Sequence, residues 1–437
     1  MAFVSECSDE CAKAQLDLFS VPPTQTSIES SSYMDYHPVC ALNENTTTIE
    51  FSIPGNGEKY VDLSNCFLYV KAKIVQTDGN DLQNDDETAP VNNLLHSMIS
   101  QVDIYLDGKQ ITSSTNTYAY RALLETLLSY GSDAKKSQLR GAMYFKDQAG
   151  RMDSVAVDAN SNEGFMKRRA LAANSRTMEM IGRIHGDIFF QDRYLLNQVT
   201  MKIVLTLNTN DFCLMGADGR RLKILSAKMM VRKVKLSDSV AKAHAMAIQA
   251  APAKYPIKRV VCKSFTVGAG LLDFTQESLF TGQLPSRLVI GLVDNRAFNG
   301  ARNRNPFNFK HFNLREIGVA LDGNESTSVR VLKPDFANNQ FTEAYLSLFI
   351  GTNKINRDEG TDITPEDYQA GYALYVYDLS PDLCEGDNFN LIKTGTVRLS
   401  MKFSAALAAA ISVIAYAEFE NVIQITRERN VITDFDS

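Results

Sequence analysis

The fold is decided by the stretch Val102-Asp-Ile-Tyr-Leu-Asp-Gly-Lys-Gln-Ile111, whose pattern predicts a strand, an Asp-Gly turn and a second strand. Asp-Gly between two alternating runs is a strong hairpin signal, because both residues tolerate a positive φ. A compact apolar helix is predicted directly afterwards, at Tyr118–Tyr130. The second half repeats the strand and turn in Ile317-Gly-Val-Ala-Leu-Asp-Gly323, and it repeats the helix at Phe341–Ile350. The chain therefore contains the same unit twice.

A second pair of similar segments lies near the end of each half. The strand pattern Val199-Thr-Met-Lys-Ile-Val-Leu-Thr-Leu207 resembles Thr396-Val-Arg-Leu-Ser-Met-Lys-Phe403. Longer strand signals follow, around Ile224–Leu236 in the first half and Ile411–Ile425 in the second. Because the two pairs of segments occur in the same order, we expect the whole unit to be duplicated.

The length and the strand signals predict the fold class. A chain of 437 residues is too long for one hydrophobic core and fits two domains. We count about eight strands per unit and few helices, which indicates an all-β protein of two consecutive eight-stranded antiparallel jelly rolls with short helices in the loops. The predicted parts are an extended N-terminal arm (1–45), the first jelly roll (46–236), a linker (237–254), the second jelly roll (255–427) and a C-terminal tail (428–437).

The negative charge of the chain is concentrated in the predicted arm. Residues 1–45 contain seven acidic residues and one lysine, which accounts for the whole net charge of −6. An acidic arm is poorly suited to condensing nucleic acid, because phosphate binding depends on cations. The first 13 residues lack the features of a signal peptide. The longest apolar run, 405–417, is broken only by Ser412 and is shorter than the roughly 20 residues of a membrane helix, so we expect no membrane span.

No residue pattern indicates catalysis, a cofactor or a metal ion. The histidines are scattered, so the His-x-His pair of a metal-binding jelly roll is missing. Cys7 and Cys11 are four residues apart, but no second pair completes a tetrahedral set. Nucleophile elbows, phosphate loops and zinc-protease motifs are also missing. We therefore predict that the chain is not an enzyme and that it has no catalytic, cofactor-binding or metal-binding residues.

One basic cluster is a candidate contact site. No acidic residue interrupts it between Gly219 and Ser237. It could face nucleic acid or an acidic partner on the inner side of an assembly, or it could be a solvated sheet edge that its lysines keep from aggregating. The lack of interleaved aromatic residues favours the sheet edge. The members are Arg220, Arg221, Lys223, Lys228, Arg232, Lys233 and Lys235. A shorter basic run, Lys167-Arg-Arg169, is predicted to be a surface or intersubunit contact.

Several segments together carry a resemblance to a known family. They are Val91-Asn-Asn-Leu-Leu-His-Ser-Met-Ile-Ser-Gln-Val-Asp-Ile-Tyr-Leu-Asp-Gly108, Asn116-Thr-Tyr-Ala-Tyr-Arg-Ala-Leu-Leu-Glu-Thr-Leu-Leu-Ser-Tyr-Gly131, Tyr377-Asp-Leu-Ser-Pro-Asp-Leu383, Asn390-Leu-Ile-Lys-Thr-Gly395 and Tyr416-Ala-Glu-Phe-Glu-Asn-Val-Ile423. In order and spacing the chain resembles the major capsid protein of Polinton/Maverick elements and adintoviruses, with virophage and adenovirus hexon proteins more distant. These motifs are structural rather than catalytic.

The resemblance implies a double jelly roll that forms pseudo-hexameric homotrimers. Such trimers would tile an icosahedral shell around double-stranded DNA. The implied partners are the chain itself, neighbouring trimers, minor capsid and penton proteins, and weakly the packaged DNA. The implied location is the virion capsid, after synthesis inside a host cell. An alternative stays open, which is a host-domesticated jelly-roll binding protein that assembles no shell.

Overall fold

The first half of the chain forms a lobe built from strands. The computed structural model describes residues 11, 13–158, 161–322, 324–383 and 388–435, without the side chains of 324–330. The strands described in this lobe are β1 (Ile28–Tyr36), β2 (Thr48–Ile53), β3 (Tyr60–Gln76), β4 (Ala89–Pro90), β5 (Ile99–Leu106), β6 (Lys109–Gln110), β7 (Met178–Gly182), β8 (Met201–Leu207), β9 (Leu214–Met215) and β10 (Arg220–Leu236).

Two antiparallel sheets enclose the core of the first lobe. One has the strand order β1-β10-β3-β7 and the other β2-β8-β5-β6. Side chains of a strand alternate between its two faces. In β3, Leu68 and Val70 are therefore buried while their neighbours Phe67 and Tyr69 lie on the outer face. The buried set meets side chains of the opposite sheet, such as Phe51 of β2, in one hydrophobic cluster.

The second half forms a lobe of the same kind. The strands described in it are β11 (Ala253–Val267), β12 (Asp273–Gln283), β13 (Arg287–Asp294), β14 (Leu314–Leu321), β15 (Asn324–Leu332), β16 (Leu374–Asp378), β17 (Thr394–Phe403), β18 (Ile411–Ile425) and β19 (Val431–Thr433). Its sheets have the strand orders β11-β18-β13-β16 and β12-β17-β14-β15, and β19 pairs with the end of β18.

The two lobes have identical sheet topology. Leaving out the short β4, β9 and β19, the described residues form eight strands in each lobe. In both lobes these strands are ordered first-eighth-third-sixth in one sheet and second-seventh-fourth-fifth in the other. Two facing four-stranded antiparallel sheets of eight strands form a jelly roll. The predicted all-β fold of two consecutive jelly rolls is therefore confirmed. The limits proposed for the two units stay predictions.

Helices lie in the connections between strands. The predicted helix at Tyr118–Tyr130 is confirmed as α2, and its counterpart in the second lobe is α8. No helix in the described part of the chain is long and apolar enough to cross a lipid bilayer. The α-helices are α1 (Leu94–Ser97), α2 (Tyr118–Ser129), α3 (Ser132–Lys136), α4 (Glu163–Ala172), α5 (Asn210–Cys213), α6 (Asp238–Ala250), α7 (Asn295–Phe298), α8 (Thr342–Ile350) and α9 (Pro365–Gln369).

The hairpin turn that decided the fold is formed as predicted in the first lobe. Asp107 and Gly108 have φ values of 44° and 83°, and they join β5 to β6. A turn with two positive φ values matches the twist of the strands that it connects. In the second lobe Asp322 has a φ of 58°, while Gly323 lies outside the described residues.

The structure differs from the predicted arm over part of its length. Residues 28–36 form β1, which pairs antiparallel with β10 along its length. The sequence of β1 is rich in serine and most of its side chains are exposed, so it carries no alternating apolar pattern. Its position is set by backbone pairing to a neighbouring strand rather than by local sequence preference.

Matched phenylalanine substitutions test the assignment of the core. Phe51 of β2 is 0% exposed and Phe19 in the arm is 99% exposed. We expect Phe51→Ala to lower the free energy of unfolding by about 3–5 kcal/mol, because it removes buried contacts and leaves a cavity. Phe19→Ala should change it by less than about 0.5 kcal/mol. Urea unfolding measures both values, and equal effects would contradict the assignment.

Candidate functional site

Helix α2 joins the two lobes because it is buried on both of its faces. Tyr118 and Ala122 pack into the core of the first lobe. Leu123, Leu124 and Leu127 pack into the core of the second lobe. Residues four apart lie on one side of a helix, so two apolar stripes give α2 two packing faces. The junction between the lobes is therefore a hydrophobic contact made by one element.

Hydrogen bonds fix the position of α2 against the second lobe. At its N-terminus, the Thr117 hydroxyl donates to the carbonyl oxygen of Cys262 in β11, at 2.6 Å. On the next strand, the Tyr416 hydroxyl lies 3.0 Å from Glu418 and 3.4 Å from Glu125 of α2. These bonds place α2 across the outer face of the sheet that contains β11 and β18.

A buried ionic cluster lies beside this contact. Arg121 donates to Glu125 at 2.9 Å and to Asp187 at 2.6 Å. His185 Nδ1 lies 2.5 Å from the other oxygen of Glu125. Asp187 also accepts the backbone N–H of Val260 in β11, at 3.1 Å, so the cluster crosses from one lobe to the other. Removal of one partner from a buried pair leaves an uncompensated charge, which typically costs about 3–5 kcal/mol.

The surroundings shift the pKa values of the two carboxylates in opposite directions. Burial raises the pKa of Glu125, but the charge of Arg121 and the hydrogen bond with His185 outweigh it and hold the pKa at about 2. Burial raises the pKa of Asp187, and the charge of Arg121 reduces that rise without cancelling it. No sequence pattern predicted this cluster as a whole. The spacing of Arg121 and Glu125, four residues apart on a predicted helix, was the signal that could have shown part of it.

A second buried polar cluster contradicts one prediction. Arg168 of α4 is fully buried and donates to the carbonyl oxygens of Pro90 and Phe145, each at 2.8 Å, and to Asp147 at 2.7 Å. Asn305 of the second lobe donates to the other oxygen of Asp147, at 2.9 Å. The prediction of a surface contact is therefore wrong for Arg168, because its charge is paired inside the molecule.

The predicted basic cluster lies on β10. Residues 229–236 of β10 lie between β1 and β3, so the interpretation as a sheet edge is wrong for Arg232, Lys233 and Lys235. The pairing with β1 does not extend to the other four residues of the cluster. Most of its cations are paired with carboxylates of the same chain. Lys233 is buried and donates to the carbonyl oxygen of Pro54, at 3.0 Å. The ion pairs are Arg220–Asp86 (2.7 Å), Arg221–Glu44 (2.9 Å), Lys223–Glu44 (3.3 Å), Lys228–Asp35 (2.7 Å), Arg232–Asp62 (2.6 Å) and Lys235–Glu29 (2.7 Å).

The acidic arm supplies several of these partners. Glu29 and Asp35 of β1 and Glu44 beyond it pair with four cations of the basic cluster. Surface ion pairs typically contribute about 0–1 kcal/mol each to the free energy of unfolding. They therefore favour the pairing of the arm with β10 over other pairings more than they stabilise the fold. The arm and the basic strand therefore form one charge-matched surface. A contact of this cluster with a partner stays a prediction.

The described part of the chain contains no group of three or more metal-ligating side chains. A cleft of about 640 Å³ is lined by cations and carboxylates in equal number, including the pair Lys146–Asp367 at 2.7 Å. Lys135 at its base is buried, and burial lowers its pKa to about 7. Its ammonium donates to the carbonyl oxygens of Leu127 and Thr361, so its contacts are structural.

Sequence comparison finds one full-length relative, and no protein-family model matches the chain. F54H12.2 of Caenorhabditis elegans, described as an uncharacterized protein, is 26% identical over 429 residues. The alignment covers 95% of this chain and 99% of that protein. The alignment therefore spans nearly the whole length of both proteins.

Solved viral structures share the fold. A chain of the Sputnik virophage, from a 3.5 Å cryo-EM structure, matches with a TM-score of 0.67 at 11% identity, over 98% of this chain and 93% of its own. The mavirus major capsid protein matches with a TM-score of 0.54 at 13% identity, over 98% of this chain and 95% of its own. The chain has the double jelly-roll fold of viral major capsid proteins.

Stability should depend on pH through His96. Burial and the neighbouring His185 hold the pKa of His96 well below its ordinary value, so it is neutral when folded. The unfolded chain takes up this proton below about pH 6.5, so His96 contributes a loss of stability of up to about 1.4 kcal/mol per pH unit as the pH falls. His96→Gln should remove this contribution in urea unfolding at pH 7, 6 and 5. The exposed His37→Gln is the control, and parallel curves for wild type and His96→Gln would contradict the assignment.

Truncations should separate the two parts of the arm. Deletion of residues 1–26 leaves β1 in place, so we expect the free energy of unfolding to stay within about 0.5 kcal/mol. Deletion of residues 1–38 removes β1 and exposes the edge of β10, which should lower stability and promote aggregation. Urea unfolding and light scattering measure these effects. Equal behaviour of the two truncations would show that β1 is dispensable.

Proposed function

We propose that the protein is a structural major capsid protein whose trimers tile a shell around double-stranded DNA. The observation that carries the proposal is the identical strand order of the two lobes. Three chains with two similar lobes each give six similar units, so a threefold trimer can occupy a hexagonal position. The major capsid role of the mavirus protein, which has the same fold, supports a structural rather than an enzymatic function.

The rigid junction between the lobes supports the same proposal. A tile needs two lobes with a fixed relative orientation, and the apolar contact of α2, with hydrogen bonds from Thr117 and to Glu125, provides it. One repeated head-to-tail contact between identical chains gives a closed ring when its rotation closes. The sequence resemblance to Polinton/Maverick and adintovirus capsid proteins points to the same assembly. Partners would be further trimers, minor capsid and penton proteins, and the packaged DNA.

One observation favours a second candidate function. A full-length relative belongs to an animal, Caenorhabditis elegans. Such a protein could be a host-resident copy that binds a partner through its loops and assembles no shell. This candidate would act as a monomer, whereas a capsid protein would form trimers.

The mass of the purified protein in solution tests the proposal. At micromolar concentration we expect light scattering after size exclusion to give three times the chain mass of 48.5 kDa. Permanent interfaces of this kind bury roughly 2,000–5,000 Å² of surface, so the trimer should persist on dilution. Electron microscopy of concentrated samples should show hexagonally packed tiles. A mass of one chain at all concentrations would favour the host-resident protein instead.

A further inference from the structure

The helices α2 and α8 occupy equivalent places in the two lobes. Each lies between the fifth and sixth main strands of its lobe. An asparagine with positive φ precedes each helix, Asn116 with 52° and Asn339 with 55°. An alignment on these asparagines pairs Leu123 with Leu346 and Leu127 with Ile350. The two pairs therefore belong to the same stripe of the repeated helix.

This stripe is covered in one lobe and uncovered in the other. Leu123 and Leu127 are 2% and 1% exposed, because α2 packs against the sheet of the second lobe. Leu346 and Ile350 are 36% and 45% exposed. Exposed leucine and isoleucine one turn apart on a helix form an apolar surface that the described part of this chain leaves partly uncovered.

The sheet that would receive this surface is also partly exposed in the first lobe, where Tyr33 and Ile181 are 51% and 39% exposed. In the second lobe α2 lies on the outer face of the sheet β11-β18-β13-β16. The equivalent sheet of the first lobe is β1-β10-β3-β7, and its outer face carries side chains of apolar character. We call these side chains the outer strip, and they are Tyr33, Phe67, Tyr69, Ile181 and Met230.

Strand register supports this surface as one docking site. Met230 pairs with Phe67 and Tyr69 with Ile181, and the rings of Tyr33 and Phe67 lie 6.5 Å apart. Lys228 and Arg232 lie beside the strip, and each is paired with a carboxylate of the same chain. The outer strip is therefore an apolar surface bordered by paired charges.

We propose that α8 of one chain packs on the outer strip of a second copy of this chain, in the way that α2 packs on the second lobe within the chain. This contact rests on the proposed trimer and specifies how it is made. It is heterologous, because a helix of the second lobe meets a sheet of the first lobe. Three such contacts close a ring in which contacts within and between chains alternate.

Substitutions on both sides of the contact test it. Leu346→Glu, Ile350→Glu and Tyr33→Glu each place a carboxylate in the proposed interface, so each should reduce the mass in solution threefold, from a trimer to a monomer. Leu391→Glu is the matched control, because it adds the same charge to an exposed leucine elsewhere, and it should stay trimeric. Circular dichroism and melting temperature confirm that the variants are folded, and Tyr33→Glu tests the contact independently of changes in α8.

A mixture of two variants tests the geometry. The Ile350→Glu chain retains an intact outer strip, and the Tyr33→Glu chain retains an intact α8. One contact can form between them but the ring cannot close, so mixing the two monomers should give a species with the mass of two chains. If the wild type is a trimer and the α8 and outer-strip variants remain trimers, the contact is overturned while the proposed function stands. If the folded wild type is a monomer, both are overturned.

Discussion

The whole arrangement depends on one helix that must be buried on both faces. Tyr118 and Ala122 of helix α2 pack into the core of the first lobe, and Leu123 and Leu127 pack into the core of the second lobe. Neither lobe alone covers it, so its apolar surface drives the two lobes together. The ionic cluster around Arg121 restricts the geometry of this contact, because its hydrogen bonds form in only one relative orientation of the lobes. A double jelly roll held in this way is a stiff building block rather than two domains on a linker.

The distribution of charge explains why β1 joins β10 in the sheet β1-β10-β3-β7 of the first lobe. The acidic N-terminal region and the basic strand β10 are far apart in sequence and adjacent in space, where Glu29 and Asp35 meet Lys235 and Lys228. Glu29 and Asp35 belong to the acidic group that accounts for the net charge of −6. Part of it is balanced locally on a sheet whose outer face combines aromatic residues with paired charges. Such a face combines apolar area with paired polar groups, as protein–protein interfaces do.

The sequence predicted the features that arise from local pattern. The Asp107-Gly108 turn, helix α2 and the repeated strands depend on alternation and turn chemistry, which neighbouring residues determine. Features set by distant contacts were not predicted. Strand β1 has a serine-rich sequence and depends on its partner β10, and Arg168 is buried because Asp147 is placed beside it by the fold. The cluster of Arg121 with Asp187 likewise joins residues from separate elements, so sequence spacing could not show it.

The central claim is that the two lobes alternate around a closed ring through one repeated kind of contact. A cryo-EM reconstruction of the purified wild-type protein, at a resolution that separates helices from strands, tests it most directly. We expect a threefold particle of six lobes in which α8 of each chain covers the sheet β1-β10-β3-β7 of the next. A particle in which α8 and that sheet both face solvent would contradict the claim.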